Sequence, residues 1–259
     1  MNNEQISRQI EASANLILGS RHLVLFTGAG ISTESGIPDF RSPGGIWDRF
    51  DQKAFDLDSF LEDEGSRALH WELFSSLGAD TSPNPAHFAV GELCKLGYAK
   101  AVITQNIDGL HQRGGAPAEI IHELHGTMSS FTCMGCTHKF TRQDVMQMTN
   151  QSRVPNCPDC SGILKPDVIF FGEPLPIPAL KQAEKQSLAS DVFMVIGSTL
   201  TVYPAAMMPE YALSRGARLI IINLSPTPLD EKASVTIRAR AGQVLPEIVN
   251  MVKRNLTQG

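Results

Sequence analysis

A short apolar run that breaks into small residues constrains the fold of this chain more than any other feature. Residues 23–26 are all apolar, as is typical of a buried strand, and Gly28 and Gly30 follow at once. A parallel strand that ends in such a turn can deliver backbone N–H groups to a phosphate. The stretch from residue 23 to residue 41 is therefore predicted to hold a nucleotide-binding turn.

The glycine spacing tests which nucleotide turn this is. The fingerprint of dinucleotide-binding dehydrogenases needs a third glycine where this chain has Thr33, and Gly36 comes three residues too late. A tight turn without any ligand would also suit the first two glycines. The acid, ring and guanidinium of Asp39, Phe40 and Arg41 favour a ligand, because packing alone requires none of them.

Length and charge exclude several classes of protein. A chain of 259 residues with 42% hydrophobic content can bury one large core, with or without a small satellite domain. The longest apolar runs, such as residues 219–222, are too short to span a bilayer, and the polar residues 1–5 do not resemble a signal peptide. A net charge of -5 does not indicate nucleic-acid binding, which requires an excess of basic residues. We expect a cytoplasmic protein that binds neither membranes nor nucleic acid directly.

Four of the five cysteines form two Cys-x-x-Cys pairs, Cys133 with Cys136 and Cys157 with Cys160. Twenty residues separate the pairs, a spacing that favours a zinc ribbon, and four thiolates complete a tetrahedral shell. A structural zinc is therefore expected to contribute folding energy to a small module. A redox dithiol is the alternative, and four sulfurs make His138 unnecessary as a ligand.

Hydrophobic periodicity predicts the other elements. After the first strand, the next convincing strand begins only near residue 100, so the gap is expected to hold a helical segment over roughly residues 51–78; this delay argues against an ordinary dehydrogenase. The nearly all-apolar strand at residues 191–197 indicates a sheet covered by helices on both faces. Further strands are predicted at 101–104, 168–171, 218–222 and 235–237, and helices at 4–18, 86–96, 204–215 and 241–252, with a loop and a helix over 174–189. The second helix is expected to turn Phe88, Ala89, Leu93 and Leu96 inward.

The predicted fold class is α/β, an open, mainly parallel, Rossmann-like sheet with helices on both faces. Ligands of such sheets bind at the carboxyl ends of the strands, where Gln105, Asn106 and Asp108 follow a predicted strand. Turn formation is the alternative explanation for these residues. The predicted division is a large nucleotide-binding domain (1–42, 79–126 and 164–259), a helical insertion (43–78) and a zinc ribbon (127–163).

Several motifs resemble, block by block, those of the sirtuins, which are NAD-dependent protein lysine deacylases. The glycine turn with residues 36–41 matches the family's cofactor loop, and residues 105–108 match its Gln-Asn-Ile-Asp motif. Spacing alone does not choose among the histidines, but the Glu-x-His-Gly pattern at residues 123–126 matches the segment of the family's catalytic histidine. About six such blocks follow the family's order between Gly28 and Asn223.

The resemblance implies NAD as the cofactor. It implies that Asn106 and Asp108 line the nicotinamide pocket, that Ile107 packs against the nicotinamide ring, and that Asn223 bonds the adenosine ribose. The chain departs from the family at Ser198, where the usual Gly-Thr-Ser order is reversed, and at Ser234 and Ala239. The predicted NAD-binding residues are Gly28, Ala29, Gly30, Ser32, Asp39, Phe40, Arg41, Gln105, Asn106, Ile107, Asp108, Gly197, Ser198, Thr199, Asn223 and Leu224.

The resemblance also implies the reaction. The acyl oxygen of an acyl-lysine attacks the anomeric carbon of the nicotinamide ribose, nicotinamide leaves, and the acyl group passes to ADP-ribose. His125 is the implied general base, and His125 and Asn106 are the predicted catalytic residues. An unperturbed imidazole titrates near the pH of the cell, which suits proton removal from a ribose hydroxyl.

The implied substrate is a protein bound as an extended peptide by β-augmentation. Val168 and Phe170 would line the tunnel for the lysine. Sirtuins that remove succinyl or malonyl groups carry a Tyr-x-x-Arg pair where this chain has Trp71 and Phe74, so acetyl or longer neutral acyl groups are predicted. The predicted substrate-binding residues are Val168, Ile169, Phe170, Phe171, Gly172 and Glu173.

Two other functions remain open. An NAD glycohydrolase or mono-ADP-ribosyltransferase would use the same pocket and release nicotinamide without an acyl-peptide. A non-catalytic NAD-sensing or zinc-ribbon interaction module would retain its function when His125 is replaced by alanine. The sequence leaves the physiological target, the acyl chain length, the regulation and the oligomeric state open.

Overall fold

A computed structural model describes residues 3–76 and 81–257. Residues 77–80, which belong to the end of the predicted insertion and the start of the next predicted segment, lie outside the described residues. Residues 1 and 2 of the polar N-terminal stretch do so as well. Across the described ranges, no helix combines the length and the apolar character needed to cross a bilayer.

Strands and helices alternate along much of the chain. The strands are β1 (Leu23–Thr27), β2 (Ala99–Thr104), β3 (Ile121–Glu123), β4 (Gly126–Cys133), β5 (Lys139–Thr141), β6 (Leu164–Val168), β7 (Val192–Ile196), β8 (Arg218–Ile222) and β9 (Val235–Ile237). The α-helices are α1 (Asn3–Leu18), α2 (Ile46–Arg49), α3 (Leu57–Glu62), α4 (Glu64–Ser76), α5 (Pro85–Lys95), α6 (Leu110–Arg113), α7 (Arg142–Thr149), α8 (Ile177–Ala189), α9 (Met207–Ser214) and α10 (Ala241–Leu256).

Six strands form a parallel sheet in the order β3-β2-β1-β7-β8-β9. The chain therefore runs from β1 to β2 on one side and later places β7 on the other side of β1. Such a reversal of strand order opens a crevice at the carboxyl ends of the strands. The predicted α/β sheet is confirmed.

Hydrophobic residues cover both faces of this sheet. In β1, Leu23 and Leu25 pack with α1, α5 and α10, whereas Val24 and Phe26 face the opposite layer with α8 and α9. Side chains alternate between the faces of a strand, so a strand buried on both sides must be apolar throughout. The all-apolar run 23–26 is the sequence signature of this arrangement.

A second, antiparallel sheet in the order β5-β4-β6 holds the four paired cysteines at one end. The predicted division assigns residues 164–168 to the large domain; in the structure they form β6 and pair with β4. The helices α2, α3 and α4 occupy the predicted insertion, and Phe60 of α3 and Phe74 of α4 pack on residues of β4 and β6. Trp71 of α4 stacks on Phe131 of β4, with ring centroids 5.6 Å apart.

The structure differs from the sequence-based expectations in three local features. Phe88 is 52% exposed because α5 buries the stripe of Ala86, Ala89, Val90 and Leu93, and Phe88 lies off that stripe. Helix α9 begins three residues later than predicted, and helix α10 ends four residues later than predicted. The predicted strand at 168–171 is a strand only at Val168, where β6 ends.

Candidate functional site

Four neighbouring parallel strands deliver their carboxyl ends to one edge of the large sheet. Gly28 follows β1, Gln105 follows β2, Gly197 follows β7 and Asn223 follows β8. A cleft of about 320 Å³ lies at this edge, and we call it the dinucleotide cleft. Its position agrees with the general rule for ligand sites in open α/β sheets.

Most of the predicted NAD-binding residues line this cleft together. Ser32, Ile107 and Asp108 do not. The Ser32 hydroxyl accepts a hydrogen bond from the Asn106 side chain (3.1 Å) and donates one to Asp108 (2.7 Å), so Ser32 links Asp108 to the lining residue Asn106. The predicted residues in the lining are Gly28, Ala29, Gly30, Asp39, Phe40, Arg41, Gln105, Asn106, His125, Gly197, Ser198, Thr199, Asn223 and Leu224.

Sequence reasoning missed part of the lining. Thr33, which breaks the dehydrogenase fingerprint, lines the cleft and donates its hydroxyl to the Gly30 carbonyl (3.1 Å). Three of the other missed residues, Ser42, Ile222 and Ser225, directly adjoin predicted ones, and the loop after β9 could have been found from its place at a strand's carboxyl end. The remaining lining residues are Ser42, Pro43, Thr201, Val202, Ile222, Ser225, Ala239, Arg240 and Ala241.

The glycines of the first turn serve a different contact from the one expected. Their N–H groups, predicted to face a phosphate, donate instead to the carbonyls of Ile196 and Gly197 (3.0 and 2.8 Å). A Cβ on Gly30 would lie 2.8 Å from the Gly197 Cα. The glycines are thus required because the turn after β1 packs backbone to backbone on the turn after β7.

Gln105 connects three parts of the cleft. Its N–H donates to the Thr27 carbonyl (2.9 Å), its side-chain Oε1 accepts from the Ser198 hydroxyl (2.8 Å), and its backbone carbonyl accepts from His125 Nδ1 (3.0 Å). The reversed Ser198-Thr199 order therefore places a serine hydroxyl on the residue that orients the histidine. Thr199 instead contacts the hydroxyl of Thr201 (3.0 Å).

The contact with Gln105 determines the tautomer of His125. A carbonyl oxygen only accepts hydrogen bonds, so Nδ1 carries the proton in neutral His125 and Nε2 holds the free lone pair. Burial lowers the pKa of His125, and the hydrogen bond to the Gln105 carbonyl opposes this effect. The histidine is therefore a neutral imidazole at pH 7 that can accept a proton at Nε2.

A buried polar network supports the cleft from below, and no sequence pattern predicts it. Thr27 donates to Thr104 (2.8 Å), which accepts the N–H of Asn106 (3.0 Å). His111 Nε2 contacts the Thr27 hydroxyl at 2.8 Å. Burial lowers the pKa of His111 to about 3, so it is neutral. Because the Thr27 hydroxyl donates its proton to Thr104, His111 Nε2 is the donor to Thr27. The network fixes the backbone of Asn106.

Asp39 and Asn223 shape the loops at the two ends of the cleft. The Asp39 carboxylate accepts from the N–H groups of Arg41 (3.0 Å) and Ser42 (2.7 Å), so it closes its own loop. The Asn223 side chain donates to the Ser225 carbonyl (2.8 Å), and its backbone carbonyl accepts from Arg238 (3.1 Å).

The segment predicted to bind the substrate peptide, residues 168–173, begins beside His125. The N–H of Ile169 donates to the His125 carbonyl (2.9 Å), and the N–H of Phe171 donates to the Phe55 carbonyl (2.9 Å). Val168 and Phe170 are buried, whereas Phe171 is 51% exposed. The inner face of this segment is thus held by the chain itself, and its outer face is open to solvent at Phe171 and Gly172.

An aromatic cluster lies against the buried side of that segment. It comprises Phe60, Phe74, Met128, Val168 and Phe170, and the partly buried Ile107 packs against it. His70 is 2% exposed and contacts Phe170, with ring centroids 4.5 Å apart. Trp71, which the sequence placed in this region with Phe74, faces the small sheet that carries the four cysteines instead.

The four cysteines form one cluster whose ligand atoms lie within 4.8 Å of one another. The Sγ atoms of Cys133 and Cys160 are 3.4 Å apart, and those of Cys136 and Cys157 are 3.7 Å apart. Four sulfurs at about 2.3 Å from a tetrahedral zinc would be about 3.8 Å apart, so the cluster fits zinc. The backbone N–H of Cys136 lowers the pKa of the Cys133 thiol. His138 contacts Asp159, outside the cluster.

Comparison with known proteins gives consistent matches. The model of the Sir2 family matches residues 28–204. NAD-dependent protein deacetylase 1 of Pyrobaculum aerophilum is 42% identical over 248 residues, which cover 95% of both chains. NAD-dependent protein deacylase 2 of Archaeoglobus fulgidus is 43% identical over 250 residues, covering 95% of this chain and 97% of the relative.

Solved structures agree with these matches. One is a Sir2 histidine-to-alanine variant with a deacetylated p53 peptide and 3′-O-acetyl-ADP-ribose. It is similar to this chain with a TM-score of 0.85 at 37% identity, and the match covers 96% of this chain and 98% of the other.

Proposed function

The chain belongs to the Sir2 family and is an NAD-dependent protein-lysine deacylase, and we propose that His125 is the general base of its reaction. The observation that carries this proposal is the hydrogen bond from His125 Nδ1 to the Gln105 carbonyl. It leaves Nε2 as a lone-pair acceptor on a histidine that lines the cleft. A base in this state can remove a proton from a ribose hydroxyl.

The other proposed roles concern binding and orientation. Bound NAD supplies an anomeric carbon with nicotinamide as its leaving group. Asn106, the second proposed catalytic residue, is held by Ser32 and Thr104 with its side chain at the cleft, where it orients the reacting end of the cofactor. Gly197, Ser198 and Asn223 also line the cleft and are proposed to hold the diphosphate and the adenosine ribose.

We propose that the substrate is an acyl-lysine protein segment bound in extended form along residues 168–173. The lysine would enter between Val168 and Phe170, and its acyl group would meet the aromatic cluster. Phe60, Phe74 and Phe170 present hydrocarbon surface there, which favours acetyl or longer neutral acyl groups over succinyl or malonyl groups. Comparable turnover of succinyl-lysine and acetyl-lysine peptides would contradict this preference.

A cytoplasmic location and the three-part division remain part of this proposal. Four cysteines arranged for metal, with no disulfide among the described residues, are typical of a reducing compartment. The large NAD-binding unit, the helical insertion and the zinc ribbon would then be three parts of one enzyme, with the peptide lying between them.

Mass spectrometry of an acetyl-lysine peptide with and without NAD tests the proposed base. The expected result is NAD-dependent loss of acetyl by the wild type, and a kcat that is 10²- to 10⁴-fold lower, roughly, in His125→Ala. His122→Ala is the matched control, because His122 is the neighbouring histidine and does not line the cleft. Unchanged turnover by His125→Ala, or nicotinamide release at full rate without peptide, would contradict the proposal.

The pH dependence provides a second test. His125 must be neutral to accept a proton, and burial lowers its pKa below the ordinary value of 6.5. Activity is therefore expected to persist as pH falls through 6.5 and to decline only at lower pH. A profile of kcat/KM against pH whose acidic limb has its midpoint above 6.5 would argue against His125.

A further inference from the structure

A buried lysine lies directly beneath the proposed peptide segment. Lys165 of β6 is 7% exposed, and its ammonium donates to the carbonyls of Val168 (2.8 Å) and Pro166 (3.3 Å). The same Nζ lies 4.5 Å from the ring centroid of Phe170. Desolvating an ammonium is costly unless it is paired and hydrogen-bonded, so the position of this lysine needs a compensating partner.

Glu173 is that partner. Its Oε2 lies 2.9 Å from Lys165 Nζ and also accepts the N–H of Phe170 at 2.7 Å. The carboxylate therefore folds back from the end of the segment onto its middle. Each charged group also forms a hydrogen bond with a backbone group of the segment. The ion pair therefore restrains the backbone conformation of the segment.

The segment is consequently fixed at three successive residues by three different anchors. Lys165 holds the carbonyl of Val168, the carbonyl of His125 holds the N–H of Ile169, and Glu173 holds the N–H of Phe170. The second anchor is the backbone of the proposed base itself. A shift of the segment would therefore change where a bound lysine lies relative to His125.

We propose that the Lys165–Glu173 ion pair is a positioning device for the acyl-peptide substrate, acting through the backbone of residues 168–170. The inference rests on the proposed function, because that function assigns the peptide to this segment. Neither residue lines the dinucleotide cleft. The pair should therefore control recognition of the peptide and leave recognition of the cofactor unchanged.

Steady-state kinetics with an acetyl-lysine peptide, together with calorimetric binding of ADP-ribose, test this inference. Lys165→Met removes the donor to Val168 and is expected to raise the peptide KM at least tenfold, while the Kd of ADP-ribose changes less than twofold. Lys165→Arg retains a charged donor and should keep the peptide KM within threefold of the wild type. If Lys165→Met does not yield folded protein, Glu173→Gln carries the same test with an expected rise of at least threefold.

The charge-swapped double variant, Lys165→Glu with Glu173→Lys, separates positioning from simple ion pairing. It can restore an ion pair, but a carboxylate at position 165 cannot donate to the Val168 carbonyl and an ammonium at position 173 cannot accept from Phe170. The peptide KM of the double variant is therefore expected to remain at least tenfold high. A double variant with the wild-type peptide KM would overturn the inference, and so would parallel weakening of peptide and ADP-ribose in Lys165→Met.

Lys139→Met is the matched control. Lys139 pairs with Asp167 at 3.8 Å on the same small sheet, but its side chain is 72% exposed and bonds no part of the peptide segment. This variant should leave the peptide KM unchanged. Failure of the proposed function is distinguishable, since it would appear as absent NAD-dependent deacetylation in the wild type before any variant is compared.

Discussion

The dinucleotide cleft and the peptide segment meet at His125, yet they are built in different ways. The cleft is made from turns at the ends of adjacent parallel strands, where the backbone at Gly28 and Gly30 bonds the backbone at Ile196 and Gly197. The peptide segment depends on parts of the chain that are distant in sequence: the helical insertion through Phe55, the small sheet through β6, and the Lys165–Glu173 pair.

Because the two halves of the site are built differently, we expect that a substitution can disrupt peptide binding without disrupting dinucleotide binding, or the reverse. The cleft inherits its shape from the large sheet, whose central strands β1 and β7 are fully buried. The peptide segment is continuous with β6, which pairs with β4, the strand that ends at Cys133. Loss of zinc should therefore disorder the small sheet and the peptide segment that continues from it, and should affect the cleft less.

Zinc removal by Cys157→Ser should give the largest effect. Structural zinc contributes on the order of 10 kcal/mol to modules of this kind, so the small sheet should lose its order without the metal. We expect kcat/KM for an acetyl-lysine peptide to fall about 10³-fold or more, while the Kd of ADP-ribose measured by calorimetry rises less than about threefold.

Cys94→Ser is the control for this variant. Cys94 lies outside the four-cysteine cluster, and burial raises the pKa of its thiol to about 11, so it is a neutral side chain in the large domain. The control should bind one zinc and retain activity. Equal loss of peptide turnover and ADP-ribose binding in Cys157→Ser would show that the two halves do not fail separately.

Gly197→Ala should disrupt the dinucleotide cleft, in contrast to Cys157→Ser, which should disrupt the peptide segment. Gly197 has φ +65°, and a Cβ there would overlap the backbone nitrogen of Ile31. Gly216 has φ +84° with open space around its Cα, so Gly216→Ala introduces the strain without the overlap. We expect Gly197→Ala to lower the free energy of unfolding by about 3 kcal/mol or more, against about 1 to 2 for Gly216→Ala, in urea titrations.

ADP-ribose affinity should follow the same order. We expect it to drop at least about tenfold in Gly197→Ala and to stay within about twofold in Gly216→Ala, because only the first substitution separates the two turns of the cleft. Similar unfolding free energies and affinities for the two variants would remove the evidence that contact between the turns shapes the cleft.

Ser198→Ala should give the smallest effect, and it tests how the cleft is connected to His125. It removes the hydroxyl that donates to Gln105 Oε1, and Gln105 in turn orients His125 through its backbone carbonyl. A single hydrogen bond of this kind contributes about 1 kcal/mol, so kcat/KM is expected to fall about three- to tenfold. Ser190→Ala removes a bond of similar length at the end of α8 and should leave kcat/KM unchanged.

The sequence predicted the main structural elements well because their signals are local. The all-apolar run 23–26 predicted β1. The helical spacing of Ile6, Ile10, Ala14 and Ile17 predicted α1, in which the last three are buried and Ile6 is partly buried. Phe88 was placed wrongly because its residue type indicates burial, while its rotation about α5 depends on where the helix begins. Cys-x-x-Cys pairing predicted a metal cluster without any knowledge of the strands that carry it.

Contacts between distant residues explain what the sequence could not predict. No pattern linked Ser198 to Gln105, or His111 to Thr27, because the hydrogen bonds between them join positions 93 and 84 residues apart. The expected use of the Gly28 and Gly30 N–H groups for phosphate failed for the same reason: the groups that accept them belong to β7 and its turn.

From local patterns alone the sequence specified the type of sheet and the cysteine cluster, since all-apolar runs and Cys-x-x-Cys pairs are local signals. Only the tertiary structure decided which nitrogen of His125 carries a proton, which face of α4 meets the peptide segment, and that Lys165 is neutralised by Glu173. Those outcomes depend on the burial of charged and polar groups, and burial is a property of the packed chain.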